Sequence, residues 1–157
     1  MGLKDSFMSN IIDFGITTDT LDLARANAAV EDPAHGALLH FIGVVRSRNQ
    51  GRDVLGVSYD AFEPLCLETL EDICKQAQQQ WGPLNIYAWH HKGRLEVGGI
   101  SLILAVSSPH RGEAYAANRF LIEEIKHRVP VWKQEHYTDG DSAWTEGCEL
   151  CSSTHEH

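Results

Sequence analysis

The chain has 157 residues, of which 43% are hydrophobic and 22% are charged. This ordinary globular composition argues against a wholly disordered chain, a collagen-like fibre and a coiled coil. The formal net charge of −9 argues against general binding to nucleic acid or to an anionic membrane, so an anionic ligand requires a local basic cluster.

The first third of the chain predicts a strand, a helix and a second strand. Residues 11–17 are rich in β-branched and aromatic side chains, which indicates a strand. The following helix has N-cap oxygens available at residues 18–20 and ends at the Asp-Pro step of residues 32–33. Residues 36–45 form a nearly continuous apolar run, which is typical of a strand buried on both faces.

An unusual basic segment follows this run. Residues 46–52 include Arg46, Arg48 and Arg52 together with a glycine, and predict an exposed loop. Its arginines form either an anion clamp or an ordinary solvated loop.

The middle of the chain predicts one helix among three further strands. The helix opens at Pro64, runs to about Gln80 and is ended by Gly82-Pro83. Residues 93–99 join two of the strands and predict a small hairpin or excursion. The strands are predicted from apolar or alternating patterns at residues 54–61, 84–91 and 100–107.

The last part of the chain predicts a third helix and a return to strands. Residues 107–109 supply the helix start, and apolar residues recur on one face to about Arg128 before Pro130 ends it. Strand, turn and short strand follow at residues 131–137, 139–141 and 144–146. Interleaved helices and strands indicate an α/β or α+β class. We expect residues 1–147 to form one domain and residues 148–157 to form a flexible tail.

Several basic or titratable side chains lie close together around Pro130, beside Trp132. Lys126 falls in the last helical turn next to the apolar face, so we expect it to be partly buried with a lowered pKa, as suits a proton acceptor or a covalent amine. The alternative is a cationic helix C-terminus that complements the helix dipole, with Lys133 on a solvated strand face.

His110 and Arg111 stand at the predicted N-terminus of the same helix. Free backbone N–H groups and the helix dipole favour an anion there, so these side chains could strengthen a phosphate or carboxylate site. The alternative is a helix cap with two solvated side chains.

The four cysteines give no obvious nucleophile. Cys148 and Cys151, followed by His155 and His157, have the spacing of a zinc or redox motif, but one such pair near a chain end is more often incidental. We therefore expect no bound metal. The other two cysteines, at positions 66 and 74, are expected to be core residues of the second helix.

Three segments of the chain stand out together: FIGVVR at residues 41–46, VSSPHR at 106–111 and KHRVPVWKQE at 126–135. Together they resemble the family of molybdopterin synthase catalytic (large) subunits. The resemblance covers roughly residues 10–147 and keeps the three motifs in the family's order and spacing. The Cys/His tail lies outside the family pattern.

The start of the chain has no apolar signal region and its apolar runs are too short for a membrane helix, so we expect a cytoplasmic protein. The resemblance implies a sulfur transferase of molybdenum cofactor biosynthesis, and we expect no cofactor. Such enzymes convert cyclic pyranopterin monophosphate into molybdopterin by installing two dithiolene sulfurs. The sulfur arrives as the C-terminal Gly-Gly thiocarboxylate of a small ubiquitin-like carrier subunit. The implied fold is α+β, of the α/β-hammerhead type with a smaller antiparallel sub-structure. The implied assembly is a homodimer of large subunits within a heterotetramer.

The resemblance also implies site residues. Lys126 and Lys133 match the two catalytic lysines of the family, with Lys126 as an acid/base or charge-stabilising group and Lys133 as an anchor. The matching substrate-binding or adjoining positions are Arg46, His110, Arg111, Val44, Val45, Gln134 and Glu135. Many relatives carry a polar or basic residue at the position of Val44, so that contact is expected to be made by the backbone alone.

Helix length adds a geometric expectation. If Arg111 starts a helix that Lys126 ends, the two residues lie about 22 Å apart along the axis. One small pterin cannot easily touch both, so we expect His110 and Arg111 to reach the site of a second copy in a symmetric dimer.

Two other functions stay open at the level of sequence. One is a non-catalytic module that uses the same basic groups to bind the carrier or a phosphorylated ligand. The weaker alternative is metal handling by the Cys/His tail.

Overall fold

The computed structural model describes residues 9–146, which fold into three helices and ten strands. The helices are α1 (Leu23–Val30), α2 (Glu63–Trp81) and α3 (Arg111–Arg128). The longer strands are β1 (Ile12–Thr17), β2 (Ala37–Val44), β4 (Arg52–Ala61), β5 (Asn85–His91), β7 (Ile100–Ser108) and β8 (Val131–Tyr137). The short strands are β3 (Arg48–Asn49), β6 (Gly93–Glu96), β9 (Gly140–Asp141) and β10 (Thr145–Glu146).

The first sheet has the strand order β1-β5-β7-β2. Strands β1 and β5 are parallel, and the other neighbours are antiparallel. Strand β7 is central, and every residue after Ile100 in it is buried. This sheet confirms the strands predicted at residues 11–17, 84–91 and 100–107.

Helices cover both faces of this sheet. On one face, α2 and α3 pack through a cluster that includes Leu70, Ile73, Leu104 and Leu121. On the other face, α1 packs against β5 and β7. The predicted cysteines are confirmed as core residues, because Cys66 and Cys74 are fully buried in α2.

The second sheet has the order β10-β8-β4-β3 and is antiparallel, with β6 also paired to β4 and β9 paired to β8. It confirms the predicted α+β class with a smaller antiparallel sub-structure. The joint at residues 93–99 is an excursion to this second sheet, since β6 pairs with β4 from Gly56↔Glu96 to Tyr59↔Gly93. His136 helps to tie three strands together, with Nδ1 2.8 Å from Asp141 Oδ1 and Nε2 2.6 Å from Ser58 Oγ.

The expectation that residues 36–45 are buried on both faces is wrong. Strand β2 forms the edge of its sheet, and the side chains of Leu38 and Val44 are 37% and 51% exposed. An apolar run does not distinguish a central strand from an edge strand, because the distinction depends on strand order.

Two helix starts also differ from the sequence expectation. Helix α1 is capped by Asp22, whose side chain accepts a hydrogen bond from the backbone N–H of Ala24, so residues 18–20 are not the cap. Helix α3 begins after His110, because Ser107 and Ser108 still belong to β7. The Cys/His tail of residues 148–157, for which we expect flexibility and no bound metal, lies outside the described residues.

No helix within residues 9–146 has both the length and the apolar character needed to cross a membrane.

The Asp22 cap gives a direct test of the α1 start. We expect Asp22→Ala to lower the free energy of unfolding by about 1 kcal/mol, because the first turn loses its side-chain acceptor. The matched control is Thr20→Ala, which we expect to change it by less than about 0.5 kcal/mol. Urea unfolding of both variants checks this, and a larger cost at Thr20 would contradict the assigned cap.

Candidate active site

A cavity of about 300 Å³ lies where the end of β2 faces the second sheet and the last turn of α3. We call it the lysine cavity. Its polar lining comes from Arg46, Arg48, Asn49, Tyr59, Ser101, Lys126, Lys133 and Glu135, and its apolar lining from Phe41, Ile42, Val44, Val45, Val54 and Val57, with Gly43 between them.

The turn between α3 and β8 brings the two lysines to the same cavity. Helix α3 ends at Arg128, and Pro130 separates it from β8, which starts at Val131. Lys126 thus reaches the cavity from the helix and Lys133 from the strand. Strand β8 is held in place by β4, in which Tyr59 lies directly opposite Lys133.

Lys133 is held by a carboxylate. Its Nζ lies 3.1 Å from Glu135 Oε1, and the two side chains are only 15% and 8% exposed. Residues two apart in a strand share one face, so both point into the cavity. The backbone of Glu135 is fixed in turn by Ser142, whose Oγ accepts a 2.9 Å hydrogen bond from the Glu135 N–H.

Lys126 has a different environment. It makes no ion pair and no hydrogen bond within residues 9–146, and its side chain is mostly buried. Burial and, secondarily, the nearby charge of Lys133 lower the pKa of Lys126 below its ordinary value. The expected partial burial and lowered pKa are confirmed. Lys126, His127 and Arg128 all lie in the last turn of α3, as the alternative of a cationic helix end expects. The solvated position expected for Lys133 in that alternative is wrong, because its side chain is only 15% exposed.

Sequence reasoning missed the groups behind the lysines as site residues. Tyr59 lines the cavity and hydrogen-bonds to Ser101, and burial raises the pKa of its hydroxyl. One signal could have found it: Tyr59 alternates with the core residue Val57, and a tyrosine on a buried face usually needs a polar partner.

His90 packs against the Tyr59 ring at 5.1 Å between ring centroids. Burial lowers the pKa of His90 to about 4, and the Lys126 charge acts in the same direction. Its Nδ1 donates to the His91 carbonyl at 2.7 Å, because a carbonyl can only accept. His90 is therefore a neutral group behind the lysines at physiological pH.

The three arginines of residues 46–52 make different contacts. The segment is a short hairpin, in which Arg48 pairs with Asp53 at 2.6 Å and Arg52 pairs with Asp139. Arg46 and Arg48 line the cavity, whereas Arg52 lies over the Tyr137 ring. Within residues 9–146, Arg46 has no hydrogen bond or ion pair.

The structure does not bring together every predicted site residue. Val44, Val45, Arg46, Lys126, Lys133 and Glu135 line one cavity. His110 and Arg111 stand at the opposite end of α3 and do not line it. Gln134 faces away, and its Nε2 donates to the Ser142 carbonyl at 3.1 Å.

The described residues offer no metal centre, since no three His, Cys, Asp or Glu side chains in residues 9–146 are grouped to hold an ion. Burial raises the pKa of the Cys66 thiol to about 11 and that of Cys74 to about 12, so neither forms a thiolate readily.

The burial of Lys126 predicts a stability cost. We expect Lys126→Met to raise the free energy of unfolding at pH 7 by on the order of 1 kcal/mol, because a desolvated charge is replaced by an apolar side chain. The unfolded lysine keeps its proton up to about pH 10.5, whereas the folded lysine loses it earlier. The advantage of the variant should therefore shrink as the pH rises through that window.

Urea unfolding at pH 7 and pH 10 measures this difference. The control is Lys75→Met, which alters an exposed lysine paired with Glu71. The assigned environment would be contradicted if the gain in free energy of unfolding for Lys126→Met grows with pH, or if Lys75→Met shows the same gain.

The chain is similar to one family of known proteins over most of its length. The family model described as MoaE protein matches residues 16–128. A molybdopterin synthase catalytic subunit from Synechococcus elongatus is 45% identical over 132 residues, which cover 83% of this chain and 80% of the relative.

Solved structures show the same fold. Molybdopterin synthase from Staphylococcus aureus superposes with a TM-score of 0.80 at 32% identity, covering 84% of this chain and 96% of that one. A Helicobacter pylori complex of subunits 1 and 2 of molybdopterin-converting factor matches with a TM-score of 0.67 at 24% identity, covering 82% and 87%. The chain therefore belongs to the MoaE family, whose curated relatives are molybdopterin synthase catalytic subunits, enzymes of molybdenum cofactor biosynthesis.

Proposed function

We propose that the chain converts cyclic pyranopterin monophosphate into molybdopterin by inserting two dithiolene sulfurs. The sulfur arrives as the C-terminal thiocarboxylate of a small ubiquitin-like carrier subunit, whose tail enters the lysine cavity. The observation that carries this proposal is the convergence of Lys126, Lys133 and Arg46 on one cavity of a chain with net charge −9. Membership of the MoaE family supports the reaction, and the cavity supports the choice of residues.

The charges of the cavity suit two anionic reactants. Asp53 offsets the charge of Arg48, and Glu135 offsets that of Lys133. Arg46 and Lys126 are then the two lining cations without an anionic partner among the described residues. A cyclic phosphate and a thiocarboxylate each carry one negative charge, so a cavity with this excess of positive charge attracts both, and Arg46 can bind one of them directly.

The two lysines have separate roles in this proposal. Lys126 acts as the acid/base or charge-stabilising group at the attacked carbon, because a lowered pKa brings proton exchange closer to neutral pH. Lys133 is held in one position by Glu135 and acts as an anchor for the phosphate or for the thiocarboxylate terminus.

The buried cysteines support a delivered sulfur. Cys66 and Cys74 are inert core thiols and do not line the lysine cavity. A carrier that supplies the nucleophilic sulfur removes the need for a reactive cysteine in this part of the chain.

A second copy of the chain would complete the site. The cavity volume of about 300 Å³ is at the lower limit for small-molecule sites. His110 and Arg111 lie about 22 Å from Lys126 along α3, on the basis of 1.5 Å rise per residue. In a symmetric dimer each of these basic pairs can enter the cavity of the neighbour.

The assembly in this proposal is a heterotetramer in the cytoplasm, with a central homodimer of this chain and one carrier at each lysine cavity. The Helicobacter pylori structure is named as a complex of two subunits, and its fold likeness supports the same kind of partner here.

Product formation tests the reaction. We expect dithiolene product from the parent chain with cyclic pyranopterin monophosphate and thiocarboxylated carrier. Lys126→Ala should lower the rate by about 10²-fold or more, since positioned acid/base groups contribute that much. Lys75→Ala is the surface control and should keep the parent rate.

Arginine variants separate catalysis from binding. Lys126→Arg and Lys133→Arg keep the positive charge but change its geometry and proton exchange, so an enzyme should lose activity in them. The chain would instead be a non-catalytic binding module if the parent binds the carrier tightly but forms no product, and if both arginine variants keep that binding.

Mixed dimers test the shared site. We expect Arg111→Ala and Lys126→Ala chains, each inactive alone, to recover roughly a quarter of the parent activity after random exchange, because half of the dimers then contain one intact site. Lys126→Ala mixed with Lys133→Ala should recover none, since both lysines line the same cavity. No recovery in the first mixture would disprove the contribution of a second copy.

A further inference from the structure

The segment that places Arg46 and Arg48 at the lysine cavity is too short to be stable on its own. We call residues 46–53 the basic hairpin. Its ladder has only two residue pairs, Arg48↔Asp53 and Asn49↔Arg52. The turn between them places Gln50 at φ 51° and Gly51 at φ 75°, and a left-handed conformation is uncommon for a residue such as glutamine. Isolated two-stranded hairpins are marginal in water, so this one depends on contacts outside itself.

Those contacts converge on Tyr137 at the end of β8. Asn49 on β3 donates its Nδ2 to the Tyr137 hydroxyl at 2.9 Å. Arg52 on β4 places its guanidinium carbon 3.6 Å from the centroid of the Tyr137 ring and also pairs with Asp139. One side chain thus holds both strands of the hairpin, by its hydroxyl and by its ring face.

Tyr137 is itself firmly placed. It is buried in a small cluster with Val45, Val54 and Val57, three residues that line the cavity. The neighbouring Thr138 N–H donates to the Asp53 carbonyl at 3.0 Å, which adds a backbone link to the hairpin.

The hairpin determines where Arg46 stands. On one side of Arg46, the Val45 N–H donates to the Gly99 carbonyl at 2.9 Å. On the other side, the Ser47 carbonyl accepts a 2.8 Å hydrogen bond from the N–H of Val54, at the base of the hairpin. If the hairpin detaches from Tyr137, the second restraint weakens and the unpaired guanidinium loses its place at the cavity.

We propose that Tyr137 is a positioning residue for the reaction, which holds the basic hairpin through Asn49 and Arg52 and so fixes Arg46 at the lysine cavity for an anionic substrate. This inference rests on the proposed function. Tyr137 does not line the cavity, so it acts through the hairpin and not on the reacting atoms.

The test uses variants that remove the two anchors one at a time. Tyr137→Phe removes the hydroxyl and keeps the ring, whereas Tyr137→Leu removes both. We expect KM for the pterin substrate to rise severalfold in Tyr137→Phe and about tenfold in Tyr137→Leu, which corresponds to losing one or two weak contacts. We expect kcat to stay within about twofold, because the lysines remain in place.

Asn49→Ala supplies the partner arm of a double-mutant cycle. It should raise KM at least as much as Tyr137→Phe, because Asn49 also lines the cavity. Adding Tyr137→Phe to Asn49→Ala should raise KM no further, since the hydrogen bond between the two side chains is already lost. Tyr87→Phe is the control, because Tyr87 is an equally buried tyrosine on the other sheet. A fall in kcat at unchanged KM, or additive effects of Asn49 and Tyr137, would overturn the proposal.

Amide hydrogen exchange and phosphate binding keep the test independent of the reaction. Exchange at residues 47–54 should accelerate in Tyr137→Phe and Tyr137→Leu while exchange in α3 is unchanged. Affinity for inorganic phosphate, followed by the NMR signal of Arg46 Nε, should fall in the same order. Absence of product from the parent would refute the proposed function, whereas unchanged exchange and unchanged phosphate affinity would refute the role of Tyr137.

Discussion

The ion pair between Lys133 and Glu135 determines the chemistry of the lysine cavity. It brings a charged lysine into a mostly buried site with its own counter-charge, at 3.1 Å. Lys126 lies in the same cavity without such a partner among the described residues, and the Lys133 charge adds to the effect of burial on it. Glu135 is placed to pair with only one of the two lysines of the motif, so Lys126 is desolvated without a counter-charge of its own.

The backbone makes this asymmetry possible. The turn at Pro130 lets Lys126 of α3 and Lys133 of β8 line one cavity, and pairing of β8 with β4 sets Tyr59 opposite Lys133. Behind them, His90 stays neutral because burial lowers its pKa to about 4. A charged imidazole there would repel Lys126, so the neutral His90 adds no positive charge to that of Lys133.

Sequence patterns predicted the positions of helices and strands better than they predicted which strands pair with each other. Periodicity placed the long strands and all three helices, because local spacing decides which segments alternate or repeat. Strand order is a long-range property, so the exposure of β2 and the pairing of β6 with β4 could not be read from spacing. Lys126 and Lys133 were predicted as site residues from the family resemblance and from their position on either side of Pro130. Ser101 and His90 were missed as site residues because nothing local marks a polar group that becomes buried beside a lysine.

The most direct test of this account is the pH titration of the Lys126 side-chain nitrogen by NMR, in the parent chain and in Lys133→Gln. The account predicts that Lys126 titrates below the ordinary lysine value of 10.5 in the parent, and that its pKa rises in Lys133→Gln because a nearby like charge is removed. Burial, the larger cause, should keep it below 10.5 even then. An ordinary pKa in the parent, or no change on removing Lys133, would contradict the claim that the two lysines share one desolvated cavity.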